Sequence, residues 1–124
     1  MNILEEIAAK TRVRVAENQQ KITLAQMKEQ AQALNADTGF PMEQALKAEG
    51  ISFICEVKKA SPSKGVIAEE FPYTEIARAY EAAGADCVSV LTEPKWFLGS
   101  DDIFREIRET ISLPMIRKDF TVDP

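Results

Sequence analysis

Glu56-Val57-Lys58-Lys59-Ala60-Ser61-Pro62-Ser63-Lys64-Gly65 decides how the rest of the chain is read, because an apolar run ends there on two opposite charges and opens into a turn-rich loop. The run from Ser52 to Lys58 has the length and composition of a strand. Alternation with period two puts Glu56 and Lys58 on one face and Cys55 and Val57 on the other. A carboxylate and an ammonium on one strand face, beside Phe53 and Ile54, have two readings: a structural ion pair inside a sheet, or an acid-base or anion-binding pair in a pocket. For the second, a partly desolvated Lys can lose part of its basicity, and a neighbouring carboxylate can orient it.

Downstream the pattern repeats. Two more strand-like runs, Asp86 to Leu91 and Pro114 to Lys118, alternate with two helical ones. Tyr73 to Ala83 carries Ile76, Ala77, Tyr80 and Ala83 on one face and stops at Gly84. Ser100 to Thr110 carries Ile103, Phe104 and Ile107 behind a Ser-Asp-Asp cap. The result is β-α-β-α-β, and right-handed crossovers turn such units into adjacent parallel strands. In that architecture ligands gather at the C-terminal ends of the strands. The third strand ends on Arg117-Lys118-Asp119, and with Ile116 facing inward Lys118 converges on the cavity of Lys58.

Upstream, the first fifty residues read as helical. Ile3, Leu4, Ile7 and Ala8 recur at helical spacing, and Leu24, Met27, Ala31 and Leu34 do so again after Thr23, an N-cap residue. Asn18-Gln19-Gln20 reads as a break between them, and Asn35 to Gly39 as another. A short helix fits Pro41 to about Ala48. The organisation expected is a helical extension over 1–50 and an α/β segment over 51–124.

Two loops hold the remaining chemistry. Lys59 to Pro72 is long for a βα connection and offers the Ser61 and Ser63 hydroxyls, three neighbouring lysines and Gly65, which suits either a phosphate or a solvated turn. It is no Walker A loop, since the glycine spacing and the terminal Gly-Lys-Ser are missing. Thr92 to Ser100 places Trp96 and Phe97 side by side, either to pack on a ring-shaped substrate or to cap the sheet end.

Bulk properties set limits. The chain has 124 residues, 45% hydrophobic and 28% charged, with formal net charge -5. That acidity argues against nonspecific nucleic-acid binding, which needs many Lys and Arg on phosphates. No apolar stretch is long enough for a membrane span, and no basic-then-apolar leader opens the chain; the reading is a cytoplasmic protein without membrane attachment. Histidine is absent, which removes Ser-His and Cys-His nucleophiles and the usual zinc sites from this chain's own groups. Cys55 and Cys87 lie in apolar runs and read as buried free thiols.

Taken in order and spacing, Glu56 to Gly65, then Ser89-Val90-Leu91-Thr92-Glu93 with Phe97 and Gly99-Ser100, then Ile116-Arg117-Lys118-Asp119-Phe120, closely resemble the signatures of indole-3-glycerol phosphate synthase. The N-terminal helices are similar to that family's extension ahead of its barrel. The resemblance implies a partial TIM (β/α)8 barrel of three strands. It also implies a decarboxylating, dehydrating ring closure of 1-(2-carboxyphenylamino)-1-deoxyribulose 5-phosphate in tryptophan biosynthesis, without cofactor or metal. By the same resemblance Lys118 is the general acid and Glu56 stabilises developing charge or moves a proton. Lys58 and Ser61 hold the substrate's acidic groups, its phosphate included, with the roles of Lys58 and Lys118 left undivided. Phe97, and after it Trp96, walls the anthranilate ring.

The family's later strands, with a second glutamate, an Asn, an Arg and glycine-rich phosphate loops, have no counterpart in these residues, so negligible activity is expected of this truncated chain by itself. A three-stranded sheet also leaves an open edge, for which a homo-oligomer or a domain swap is the expected cover. The competing reading is a non-catalytic phosphate-binding or assembly module of the same fold. Phosphoribosylanthranilate isomerase fits poorly, because the Glu-x-Lys and Arg-Lys-Asp-Phe patterns do not suit it.

Overall fold

The structure, a computed structural model, describes residues 1–123. Pro124, the last residue of the expected α/β segment, lies outside the described residues. The chain divides into two compact units, one holding Met1–Gly39 and the segment from Phe120 on, the other Phe40–Asp119.

The first unit carries two helices, α1 (Ile3–Lys21) and α2 (Leu24–Ala33). Both start on capping boxes: Asn2 pairs reciprocally with Glu5, and Thr23 with Gln26, so orphan amides at each helix start find acceptors. The break expected at Asn18-Gln19-Gln20 is not there. Helix α1 runs through it, and the Ile22 amide donates to the Asn18 carbonyl at 2.9 Å. Glutamine is a good helix former, and an exposed Asn near a helix end is easily tolerated; the chain turns only at Ile22, whose backbone is extended.

The second unit begins with α3 (Pro41–Lys47), preceded by Phe40 in the left-handed region at φ 50°. Three parallel strands follow: β1 (Ile54–Val57), β4 (Cys87–Leu91) and β5 (Met115–Lys118) in the order β1-β4-β5. Helices α4 (Tyr73–Ala82) and α5 (Asp101–Thr110) make the two crossovers. Between β1 and α4 a small antiparallel hairpin forms from β2 (Ala60–Ser61) and β3 (Gly65–Val66). The long first loop thus contains a short hairpin with an exposed tip, in which Gly65 takes φ 63°, a conformation favouring glycine.

The sheet has two unlike faces. One face is packed by the helices. Val57, Val88 and Val90 join Ala77 of α4 and Ile107 of α5, with Ile111, in the buried core, and Phe71, Tyr73, Ile76, Tyr80, Ile103 and Phe104 pack around it. These are the apolar faces expected of the two helices. Helix α5 starts where Ser100 Oγ accepts the Ile103 amide at 3.1 Å. Glu81 at the end of α4 accepts the Ser112 amide, the Ser112 hydroxyl and the Leu113 amide at 2.9, 3.0 and 3.2 Å, tying the chain ahead of β5 to α4.

The other face carries the alternate residues. Register partners Glu56 and Ser89, Ser89 and Ile116, Leu91 and Lys118 place Glu56, Ser89, Leu91, Ile116 and Lys118 on it. Here Ile54 and Ile116 are exposed, as are Ile51 and Phe53 before the first strand. Among the described residues β1 and β5 each have a single strand partner, β4. Both cysteines are free; Cys87 is buried, whereas Cys55 is only half-buried, a correction to the expectation that both would be enclosed. No helix among the described residues is long and apolar enough to cross a membrane.

Candidate active site

Period-two alternation along β1 and β5 brings the sequence-selected charges together. Lys118 Nζ donates to Glu56 Oε2 at 2.8 Å, and Lys58 Nζ lies 3.3 Å from Glu56 Oε1. One carboxylate is thus shared, one oxygen to each lysine, across two strands that do not pair with each other. Burial pushes the Glu56 carboxyl up, but the hydrogen bonds from Lys118 and Lys58 and their charges outweigh it and hold the group below its ordinary value of 4.5. Glu56 is therefore an ionised acceptor at neutral pH. The cluster formally carries one surplus positive charge at the C-terminal end of the sheet, an arrangement suited to an anion with nearby oxygens.

The strand that supports Glu56 is itself tethered. Tyr80 on α4 donates its hydroxyl to the Glu56 carbonyl at 2.9 Å; desolvation, followed by the nearby Cys55 and Glu56, raises the pKa of the phenol, keeping it a donor.

Arg117, next to Lys118, faces the other way. Its guanidinium binds Asp101 at 2.8 and 3.0 Å, at the first residue of α5, where a carboxylate also complements the helix dipole. Asp119 turns back and accepts the Thr92 hydroxyl at 2.7 Å, while the Thr92 amide donates to the Lys118 carbonyl at 3.0 Å. The residue after β4 thereby holds the chain on the C-terminal side of Lys118.

Ser61, in strand β2 of the hairpin after β1, and Phe97, on the loop after β4, are each held by local contacts. The buried Ser61 hydroxyl accepts the Lys64 amide at 3.1 Å, which leaves its own hydrogen to donate. Phe97, half-buried, donates its amide to the Glu93 carboxylate at 3.0 Å. Trp96 beside it carries Lys95 over its ring, 4.6 Å from the centroid. The loop closes tightly at Gly99, where a Cβ would stand 2.1 Å from the Leu91 carbonyl oxygen.

Two residues of this region stand in the quoted pattern Ser89-Val90-Leu91-Thr92-Glu93 but received no role from sequence. Glu93 is buried, and its partners are backbone amides, which a sequence does not display. Ser89 is buried on the face of Glu56, and its hydroxyl has no hydrogen-bond partner among the described residues; a lone polar residue in the run Cys87-Val88-Ser89-Val90-Leu91 was the available signal. Among the described residues no group of three His, Cys, Asp or Glu is placed to hold a metal ion.

The family model described as Indole-3-glycerol phosphate synthase matches residues 4–124. The chain belongs to the indole-3-glycerol phosphate synthase family. It is 50% identical over 122 residues to the indole-3-glycerol phosphate synthase of Ruminiclostridium cellulolyticum, and 45% identical over 122 residues to that of Lacticaseibacillus paracasei. The enzyme of Endomicrobium trichonymphae is 48% identical over the same length. Each alignment takes in 98% of this chain and 47% of the relative, so the chain spans about half the length of the curated relatives it matches. The three parallel strands with their crossover helices are accordingly part of this family's TIM barrel.

Proposed function

We propose that the chain supplies one side of an active site for the ring closure of 1-(2-carboxyphenylamino)-1-deoxyribulose 5-phosphate. The observation that carries the reading is the carboxylate of Glu56 held between Lys118 and Lys58. In this reading Lys118 protonates the ribulose carbonyl oxygen as the aromatic carbon attacks, and Glu56, ionised and preorganised, stabilises the positive charge that develops on the ring system. Lys58 and the Ser61 hydroxyl bind the substrate's anionic groups, and Phe97, with Trp96, walls the aryl ring. No cofactor or metal enters the scheme.

The present residues supply one carboxylate, two lysines and a hydroxyl. Preorganised partners are each worth about 10²-fold to 10³-fold in rate, so the 124-residue polypeptide by itself is proposed to be inactive. Residues 1–50 are read as an extension ahead of the barrel segment 51–124, in a cytoplasmic protein that binds neither nucleic acid nor membrane. The exposed Ile54 and Ile116 and the outer edges of β1 and β5, which pair with no strand among the described residues, support self-association or strand exchange as their cover; light scattering that finds a monodisperse monomer, with no apolar dye bound, rejects this part. The non-catalytic module is not favoured, because the catalytic pattern and the family match run together along the chain.

The test is reconstitution. The chain is mixed with a separately produced second half of a family member, and indole-glycerol phosphate formation is followed by fluorescence. Activity that appears in the mixture and is abolished by Lys118→Met supports the reading. A stable complex that never turns over refutes it.

A further inference from the structure

The loop after β4 is organised around one buried carboxylate. Glu93 is 2% exposed. Its Oε1 accepts the Lys95 amide at 2.8 Å, and its Oε2 accepts the amides of Trp96 and Phe97 at 2.7 and 3.0 Å. Its carbonyl accepts the Gly99 amide at 2.9 Å. Three successive N–H groups therefore converge on one side chain, and the loop bends back so far that Leu98 takes φ 53° and Gly99 sits against the Leu91 carbonyl. A non-glycine residue persists in the left-handed region only where its surroundings over-determine it. The surroundings here are the Glu93 bonds on one side and the Gly99 bond on the other.

A carboxylate buried without a cationic partner is expensive unless donors replace its water. The three amides do so, and in return they lose the freedom to turn elsewhere. Only a side chain with two acceptor oxygens and this reach holds all three. Alanine leaves three donors without an acceptor, and glutamine keeps one carbonyl oxygen while pointing an amide at a donor.

We infer that Glu93 is a positioning residue: its carboxylate sets the orientation of Trp96 and Phe97 and so shapes the wall against which an aryl group packs. The inference rests on the reading of Phe97 as that wall. Glu93 acts through the backbone and touches no substrate.

The chain contains a single tryptophan, Trp96, inside the loop in question, so the loop reports on itself. Wild type, Glu93→Gln and Glu93→Ala are compared in the 124-residue chain by far-ultraviolet and near-ultraviolet circular dichroism and by acrylamide quenching. Dissociation constants are measured for two probes, 1-(2-carboxyphenylamino)-1-deoxyribulose 5-phosphate and inorganic phosphate. The alanine variant should keep its far-ultraviolet spectrum, lose the near-ultraviolet tryptophan bands and become more quenchable, with glutamine intermediate. Losing one aromatic contact weakens the aryl probe about tenfold, and binding of inorganic phosphate stays as in wild type.

Trp96 signals unchanged in both variants overturn the inference, as does equal weakening of the two probes. If alanine abolishes the far-ultraviolet spectrum, the glutamine variant is judged by the same two criteria. If wild type binds inorganic phosphate but not the aryl probe, the aryl-wall reading fails, and the Trp96 signals alone then decide whether Glu93 sets the loop.

Discussion

Lys118→Met should uncouple the carboxylate of Glu56 from the third strand. The removed contact is an ammonium and a carboxylate 2.8 Å apart. Coulomb attraction at that separation is about 1.5 kcal/mol if water screens the pair fully and about 6 kcal/mol at an effective dielectric constant near 20. The Lys118 side chain is 56% exposed, which puts the pair toward the screened limit, and fixing a flexible lysine takes back part of the gain. A coupling of about 1 kcal/mol remains. Lys58 still faces Glu56, so the variant does not strand a bare carboxylate.

The pH dependence follows from the direction of the Glu56 shift. Its folded-state pKa lies below the ordinary value, so the stabilisation is complete above the unfolded-state pKa and disappears as pH falls through the folded-state one. The assay is urea unfolding of wild type, Lys118→Met, Glu56→Gln and the double variant. At pH 7 the cycle should give about 1 kcal/mol of coupling, shrinking toward zero in acid. The carboxyl carbon of Glu56, followed by NMR, should titrate at higher pH in Lys118→Met. An unmoved titration together with zero coupling at pH 7 would refute the reasoning.

Other outcomes can be checked on the same chain. Gly99→Ala forces a methyl to within 2.1 Å of the Leu91 oxygen and 2.7 Å of its carbon; because both are backbone atoms the loop must shift, with a loss of about 1–3 kcal/mol in urea unfolding. Ile107→Ala empties the centre of the helix-backed core and should destabilise the chain by about 2–5 kcal/mol. Glu81→Gln should flatten part of the acid limb of the melting temperature: the Ser112 backbone amide, with the Ser112 hydroxyl and the Leu113 amide, holds the Glu81 carboxyl below its usual range. That contribution is present at neutral pH and fades as the wild-type group is protonated, so equal acid sensitivity of the two proteins would count against the bond.

The strands and crossover helices of Phe40–Asp119 could be read from the sequence because binary patterning dictates them. Glu56, Lys58 and Lys118 were placed together by nothing more than period-two alternation on parallel strands. Caps were legible at Thr23 and Ser100, where the side chain itself makes the bond. What escaped reading depends on the backbone. Asn18-Gln19-Gln20 looks like a break, but a helix already nucleated from Ile3 passes through residues that tolerate it. The β2-β3 hairpin is too short to carry a periodic signal. Glu93 appears in the sequence as one more charged residue at a strand end, since its three partners are amides that every residue possesses.

The strand register has a consequence for the order of events in folding. Ile54 lies opposite Cys87, and Val88 opposite Met115, so the first pairing spans the β2-β3 hairpin and α4, the second only α5, and each closes a loop of modest entropic penalty. Neither pairing waits for a segment far along the chain. As the polypeptide leaves the ribosome, β1 can be met by β4 as soon as α4 has been made, and that pair then offers a finished edge to β5. The sheet can be laid down in the direction of synthesis, each strand serving as template for the next.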